Sequence, residues 1–414
     1  MSSADVESRM LPPDEAQRIV FSHAEQRSLG SEVVPLAQAA GRLLAQAVIA
    51  HRDLPPFAAS TMDGFALLHD DPSDRWRVIG SGLAGDVPSD TLTHGVAARI
   101  MTGAPLPDGA TTVVPVEQTQ VTGEILTLTS ARPKQGDNIR PIGADMRTGD
   151  RLLQSGTPLG PAELGLIASL GHATIAVGRV PRVIVITTGD ELVQPGGSLA
   201  PGQIYDSNGT SLGSAVRLAG AQLLSVSHIT DDEATLVPAV RAALAEADVV
   251  ITSGGVSMGD RDLIKAHIAE VADVHFRRLF MKPGKPFHFA TAGRTLFFGL
   301  SGNPVSNLVG FHVLVAPALR ILQGAPAVPP ATVVVRTTET LRPSDRIEYQ
   351  RANVQVDANG QLVAHSTGSQ SSARLMSFAG ANALVIVPVG ADEVPAGTLL
   401  PALLLAPPVP VSAA

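Results

Sequence analysis

The sequence predicts a multidomain α/β protein. Its parts are a central, mostly parallel α/β domain, a β-rich domain inserted ahead of it, a small C-terminal β-domain and a helical N-terminal linker region. Three observations carry this. Residues 182–323 alternate buried-type apolar runs with helical segments, the pattern of βαβ units around a parallel sheet. Residues 51–145 break into short β-prone runs between Gly, Pro and Asp turns. After Pro329-Pro330 the pattern turns to strands alone. The 414 residues are enough for roughly three domains.

Taken in order, Pro12-Pro13-Asp14 opens a helix carrying Ala16, Ile19 and Val20. A second helical segment is expected from Leu36 to Leu44, weakened by Gly41. Strands are expected at Trp76–Ile79, Thr111–Val116 and Ile125–Leu128. Pro161 starts a helix that Gly171 closes. The central domain then reads as strand Arg182–Thr188, helix Asn208–Gly220 and strand Gln222–Ser227. Helix Asp231–Ala245 follows, behind the capping-box pattern Thr230-Asp231-Asp232-Glu233. Strand Asp248–Thr252, helix Asp262–Ala272 and strand Thr295–Gly299 come next, and Asn303-Pro304 opens a helix reaching Leu322. The C-terminal strands are VVVRTTE, EYQRANVQV, QLVAHS and ANALVIVPV.

Composition excludes several functions. There is no cysteine, so disulfides, zinc–thiolate sites, iron–sulfur clusters and a cysteine nucleophile are ruled out. The formal charge of −8 argues against a nucleic-acid binder. The N-terminal residues lack the basic front and apolar run of a signal peptide. The most apolar stretch, Leu399–Val411, is broken by Pro401, Pro407, Pro408 and Pro410, so no membrane span is expected. A cytoplasmic protein is the resulting expectation.

Only four of the 30 basic residues are lysines, Lys134, Lys265, Lys282 and Lys285. Two of them share the turn Lys282-Pro283-Gly284-Lys285. Ammonium groups that close repel, which points to an anion beside them. Gly80–Gly85 matches the dinucleotide fingerprint, but no helix follows and the match is rejected. Gly255-Val256-Ser257-Met258-Gly259 has two readings. It matches the serine-hydrolase elbow, with His275, His288, His312 and His365 as candidate partners. It also suits an anion loop, in which backbone N–H groups of Ser253–Gly259 cradle a phosphate at a helix start. Asp63, Asp145, Asp190, Glu191, Asp231, Asp260 and Asp262 punctuate loops and strand ends. Asp231 and Asp262 also suit helix N-caps, and Asp63 and Asp145 suit turns. With the lysine pair, the acids suggest Mg²⁺ held against phosphate.

Eight segments in order complete the picture: Pro55–Phe57 with Ser60–Ala66; Arg99–Pro105; Asn138–Arg140 with Gly143–Asp145; Thr188–Leu192; Tyr205–Asn208; Ser253–Asp260; Lys282–Pro286; and Gly299–Ser306. In these the chain resembles the molybdopterin molybdenumtransferases, the bacterial MoeA-type enzymes and the E domain of gephyrin. The resemblance implies insertion of molybdate into adenylylated molybdopterin with Mg²⁺-dependent release of AMP. It implies a homodimer of four-subdomain chains, with cofactor-biosynthesis proteins or apo-molybdoenzymes as further partners. Residues 1–45 with 146–177 would form a helical linker subdomain, and 46–145 a β-rich subdomain reaching the partner subunit. Residues 178–326 would be the molybdopterin-binding core, and 327–414 a small β-barrel-like domain.

Carried over by motif, Asp63, Thr102, Asp145, Glu191, Asp231, Asp262, Lys282 and Lys285 fall on catalytic positions. Ser253, Gly254, Gly255, Ser257, Asp260, Asn303, Pro304, Ser306, Arg351, Ser371 and Ser372 fall on substrate-binding positions. Glu191, Asp190 and Asp262 would hold the metal, while Lys285 and Arg351 would hold molybdate. Ser301 departs from the family's usual proline in this loop, and Gly368–Ala373 matches its pattern loosely. The alternatives are a non-catalytic molybdopterin-binding scaffold, a molybdopterin adenylyltransferase, and a hydrolase using Ser257.

Overall fold

The computed structural model describes residues 9–82, 91–255 and 263–410. The chain forms two compact units, one of Met1–Gln46, Ser155–Gly160 and Thr174–Ala414, the other of Ala47–Gln154 and Pro161–Ala173.

The first unit is built on a six-stranded sheet. Its order is Gln222–Ile229, Arg182–Thr188, Val249–Ser253, Thr295–Leu300, Pro286–Ala292 and Asp273–Arg278. The first four strands are parallel, Pro286–Ala292 runs against them, and Asp273–Arg278 pairs antiparallel with Pro286–Ala292. The four parallel strands fall on the runs that the sequence predicts as strands. Successive side chains of a strand point to opposite faces, and here both faces are covered. Val183, Val185, Val249 and Ile251 pack with Val20, Phe21, Leu314 and Leu319 of the helices on one side. Ile184, Ile186 and Val250 pack with Leu236, Val240 and Ile268 on the other.

The helix over Pro304–Leu322 is interrupted by a π-helical segment, Phe311–Val315. Pro317 has no N–H to give the Val313 carbonyl. The Gln17 side chain donates to that carbonyl instead, at 3.1 Å. By length and composition this helix could cross a membrane, but 72% of its apolar window is buried inside the protein, as a core helix would be.

Two expectations are corrected. The helix foreseen from Leu36 to Leu44 is a three-residue 3₁₀ turn, Leu36–Gln38. Gly41 adopts φ +75°, which stops a helix, and Leu43 and Leu44 bridge to Pro158 and Val177. The helix foreseen from Asp231 starts at Glu233, with Asp232 at the cap position and no side-chain capping bond. Asp231 is therefore not a cap. Asp262 lies outside the described residues, and the helix after it spans Leu263–Val271.

The C-terminal part is a closed five-stranded barrel. Ile347–Val356 pairs with Leu362–Ser366, which pairs with Thr332–Thr337, then Leu399–Leu404, then Ala383–Val387, which returns to Ile347–Val356. Met281–Lys282 adds a short parallel strand against Ile347–Glu348.

The second unit holds a six-stranded sheet in the order Thr112–Pro115, Gly64–Leu67, Val96–Ile100, Trp76–Gly82, Ile125–Leu128 and Thr119–Thr122. Trp76 packs there with Phe65, Leu67, Val114 and Leu126, and its indole N–H donates to Asp71 at 2.7 Å.

Candidate active site

In open α/β sheets, ligands bind outside the carboxyl ends of the strands. At that edge the strand ending at Thr188 leads to Gly189-Asp190-Glu191, and the strand ending at Ile229 leads to Asp231. Ser253 leads to Gly254-Gly255, and Leu300 leads to Ser301–Pro304.

These loops are knotted together by buried amides. The Asn208 side chain donates to Ser253 Oγ at 3.0 Å and to the Gly302 carbonyl at 2.8 Å. Asn307 donates to the same Ser253 Oγ at 2.8 Å. Ser253 is thus a buried junction holding two loops. Asp206 caps the helix Ser207–Leu218 by accepting from Gly209 N–H at 2.8 Å, and it also accepts from the Thr187 hydroxyl at 2.7 Å. Gly254 has φ +94°, and a Cβ there would sit 2.7 Å from both the carbonyl and the hydroxyl oxygen of Thr188. Only glycine fits so close an approach.

Three carboxylates crowd the edge. Asp190 Oδ1 accepts from the Asp231 N–H at 3.1 Å. The Asp231 carboxyl is raised above the ordinary aspartate range, first by burial and then by the charges of Asp190 and Glu191. The Thr188 hydroxyl and His228 oppose that rise. Thr188 approaches Asp231 without reaching full hydrogen-bond geometry. His228 itself is tied through Nε2 to the Gly189 carbonyl at 2.9 Å. Among the described residues no group of three or more His, Asp or Glu is placed to hold a metal ion. Mg²⁺ keeps most of its waters and needs one or two carboxylates. Asp190 and exposed Glu191 supply that number, and a cation would relieve their repulsion of Asp231.

The lysine turn hangs from the barrel. Lys282 Nζ lies 3.4 Å from Glu348 Oε1, and the Glu348 side chain is only 3% exposed. Lys285 gives its carbonyl to Leu279 N–H at 2.9 Å. Its half-buried ammonium has no carboxylate within ion-pair distance among the described residues.

Arg351 is fully buried. Burial pushes its pKa down to about 10 against the opposing charge of Glu348. Its guanidinium donates to Ser377 Oγ at 3.1 and 3.2 Å and to the Ser371 carbonyl at 3.2 Å, leaving Nη1 without a partner. The Ser372 carbonyl accepts from Val305 N–H at 3.2 Å, at the start of the helix that Pro304 opens. Asn303 is exposed at the cap of that helix, and Ser306 is buried within it. Ser301, the departure from the family pattern, accepts from Asn303 N–H at 3.2 Å. Its hydroxyl holds the turn where proline would have held it by its ring.

Asp63, Thr102 and Asp145 lie in the other compact unit. Asp63 Oδ1 accepts from both the backbone N–H and the hydroxyl of Thr102 at 2.7 Å. These bonds, the backbone one first, hold its carboxyl below the ordinary range. Asp145 is paired with Arg140. Ser257, Asp260 and Asp262 lie outside the described residues.

The sequence reading did not single out Asn307 or Glu348, and it quoted Asn208 only within a motif. A lone amide in an apolar helix, as at Asn307, was the available signal. Nothing in sequence marks Glu348 as the buried partner of Lys282.

Three family models match the chain. They are the MoeA N-terminal region (domain I and II) over 11–171, the probable molybdopterin binding domain over 184–321, and the MoeA C-terminal region (domain IV) over 334–405. The chain is 36% identical over 371 residues to the molybdopterin molybdenumtransferase of Haemophilus influenzae, covering 89% of this chain and 92% of that one. It is 38% identical over 401 residues to molybdopterin molybdenumtransferase 2 of Mycobacterium tuberculosis, covering 93% and 97%. A crystal structure of a molybdopterin biosynthesis MoeA protein from Pyrococcus horikoshii superposes with a TM-score of 0.81 at 30% identity, covering 96% of this chain and all of that one.

Proposed function

The chain belongs to the MoeA family of molybdopterin molybdenumtransferases, and on that footing we propose that it inserts molybdate into adenylylated molybdopterin with Mg²⁺-dependent release of AMP. It is an enzyme of molybdenum cofactor biosynthesis. The observation that carries the finer reading is the rim at the carboxyl edge of the sheet, where Asn208 locks the Ser253 and Gly302 loops beside Asp190, Glu191 and Asp231.

In this reading Gly254, Gly255 and the loop to Pro304 receive the pterin phosphate. Asp190 and Glu191 hold Mg²⁺, which supplies positive charge against the substrate's phosphates. Lys285 binds molybdate, a tetrahedral dianion that a lysine recognises as it would phosphate. Lys282 is held by Glu348 and frames the same turn. Arg351 braces the Ser371 loop, and its unpartnered Nη1 is its one open donor. Asp63, Thr102 and Asp145 are assigned to the same reaction by their motifs, in a cytoplasmic homodimer.

Given adenylylated molybdopterin and Mg²⁺, purified protein should release AMP in a molybdate-dependent way, and Lys285→Ala should abolish that release. Undiminished turnover by Lys285→Ala would remove that residue from the assignment. Binding without release would leave a scaffold, consumption of ATP an adenylyltransferase, and labelling of Ser257 by a fluorophosphonate a hydrolase.

A further inference from the structure

A second cavity, of about 550 Å³, lies at the opposite, amino-terminal ends of the same strands. Glu32, Arg179, Arg182, Gln222, Asp248 and Arg294 line it. Arg182 opens a strand of seven residues whose other end is Thr188. At about 3.3 Å per residue the two edges are about 20 Å apart. The cavity is therefore separate from the site described above.

Its charges do not cancel. Asp248 is engaged by Arg182, through the backbone N–H at 2.8 Å and the guanidinium at 3.3 Å. Glu32 is engaged by Arg42. Arg179 donates to the Ser31 carbonyl at 3.2 Å and Arg294 to the Ser28 carbonyl at 3.4 Å. Neither meets a carboxylate within ion-pair distance among the described residues. Backbone carbonyls orient these two guanidinium groups without neutralising them. Next to them, Arg27 donates to the Gly293 carbonyl at 3.1 Å. Its pKa is lowered chiefly by burial and further by the charge of Arg294, with Asp273 opposing. A chain of net charge −8 thus carries a concave patch of surplus positive charge.

We propose that this cavity binds an oligophosphate anion. Guanidinium forks match phosphate oxygens two at a time. A single carboxylate would satisfy one arginine and leave the other, whereas linked phosphates can meet both Arg179 and Arg294. The volume falls in the ordinary range for small-ligand sites.

Isothermal titration of the full-length protein with tripolyphosphate tests this. Saturable binding, weakened by added salt, is expected. The double variant Arg179→Gln, Arg294→Gln should bind at least about tenfold more weakly while keeping wild-type AMP release. Lys285→Ala should leave tripolyphosphate binding unchanged. Absence of saturable binding overturns the proposal, as does a double variant that binds like wild type. Loss of binding in Lys285→Ala alone overturns it too, because it places the anion in the other cleft. Should the double variant fail to fold, Arg294→Gln alone, which removes an exposed side chain with one carbonyl bond, carries the same test.

Discussion

His312 offers the sharpest test of the packing. It occupies the π-helical segment, edge-on to Phe311 at 5.6 Å and stacked on Phe378 at 6.2 Å between ring centroids. Burial pushes its pKa from 6.5 down to about 4. The folded value lies below the unfolded one, so the unfolded chain takes the proton first. The stabilisation from keeping this ring neutral is complete above the unfolded value and is lost as pH falls from 6.5 towards 4. The whole difference corresponds to about 3 kcal/mol, of which about 2 kcal/mol disappears between pH 7 and pH 5. Replacing His312 with Leu removes the titrating group. Urea unfolding followed by circular dichroism should then show a pH 7 to pH 5 loss about 2 kcal/mol smaller than in wild type. Circular dichroism is the right probe because the single tryptophan, Trp76, lies in the other compact unit. His23 and His275 titrate in both proteins, so their contributions cancel in the comparison. Equal losses in the two proteins would refute burial as the source of the depressed value.

Gly254→Ala forces a Cβ against the Thr188 carbonyl at positive φ, and should lower stability by about 2 kcal/mol or more and weaken substrate binding; an unchanged melting temperature would contradict the close approach. Lys282→Ala removes the ion-pair partner of Glu348 and leaves it the charge of buried Arg351. Because Lys282 is itself 44% exposed, the loss should be about 2 kcal/mol rather than that of a fully buried pair. Adding Glu348→Gln should recover most of it in denaturant melts, and failure of that rescue would mean the pair is not what holds the turn. Ser301→Ala removes the acceptor of the Asn303 N–H, so AMP release should fall while stability changes by less than about 1 kcal/mol. Ser301→Pro should restore the rate, and a dead Pro variant with a fully active Ala variant would reverse the argument.

What was legible in the sequence follows from how local the signals are. Arg182–Thr188 is a run of β-branched residues buried on both faces, and it folds over the span predicted for it. The antiparallel strands Asp273–Arg278 and Pro286–Ala292 escaped notice because His, Arg and Thr interrupt their apolar residues. The strand Leu399–Leu404 was hidden by Pro401, because a residue without an N–H argues against a strand in sequence. Asp231 looked like a cap because Asp often is one, and its neighbour Asp232 took the position. At the site, glycines and acids marked the loops, but not what those loops touch. Ser253 is bonded to Asn208 and Asn307, 45 and 54 residues away in sequence. Arg351 is expected from its motif to hold molybdate, and it lies fully buried against Ser371 and Ser377. Such partners are set by tertiary packing, which no short window of sequence contains.

The barrel grips the rim of the cleft at two points. Met281–Lys282 is hydrogen-bonded into the barrel beside Ile347–Glu348, so the turn bearing both lysines is anchored by barrel backbone and by a buried barrel carboxylate. The Ser372 carbonyl then takes the N–H of Val305, at the helix that follows the Gly302-Asn303-Pro304 loop. Arg351, wedged behind Ser371, fixes the position of that serine loop. An α/β domain without the barrel would keep the glycine and carboxylate loops, whose bonds to Asn208, Asn307, Asp206, Thr187 and His228 lie within that domain. It would lose the anchor of the lysine turn. On the proposed reading, the sheet edge takes the pterin phosphate and the barrel positions the turn from which Lys285 would meet the oxyanion. On that reading, the C-terminal domain would serve the reaction through the lysine turn it anchors, although it lacks the glycine-rich loops of the sheet edge.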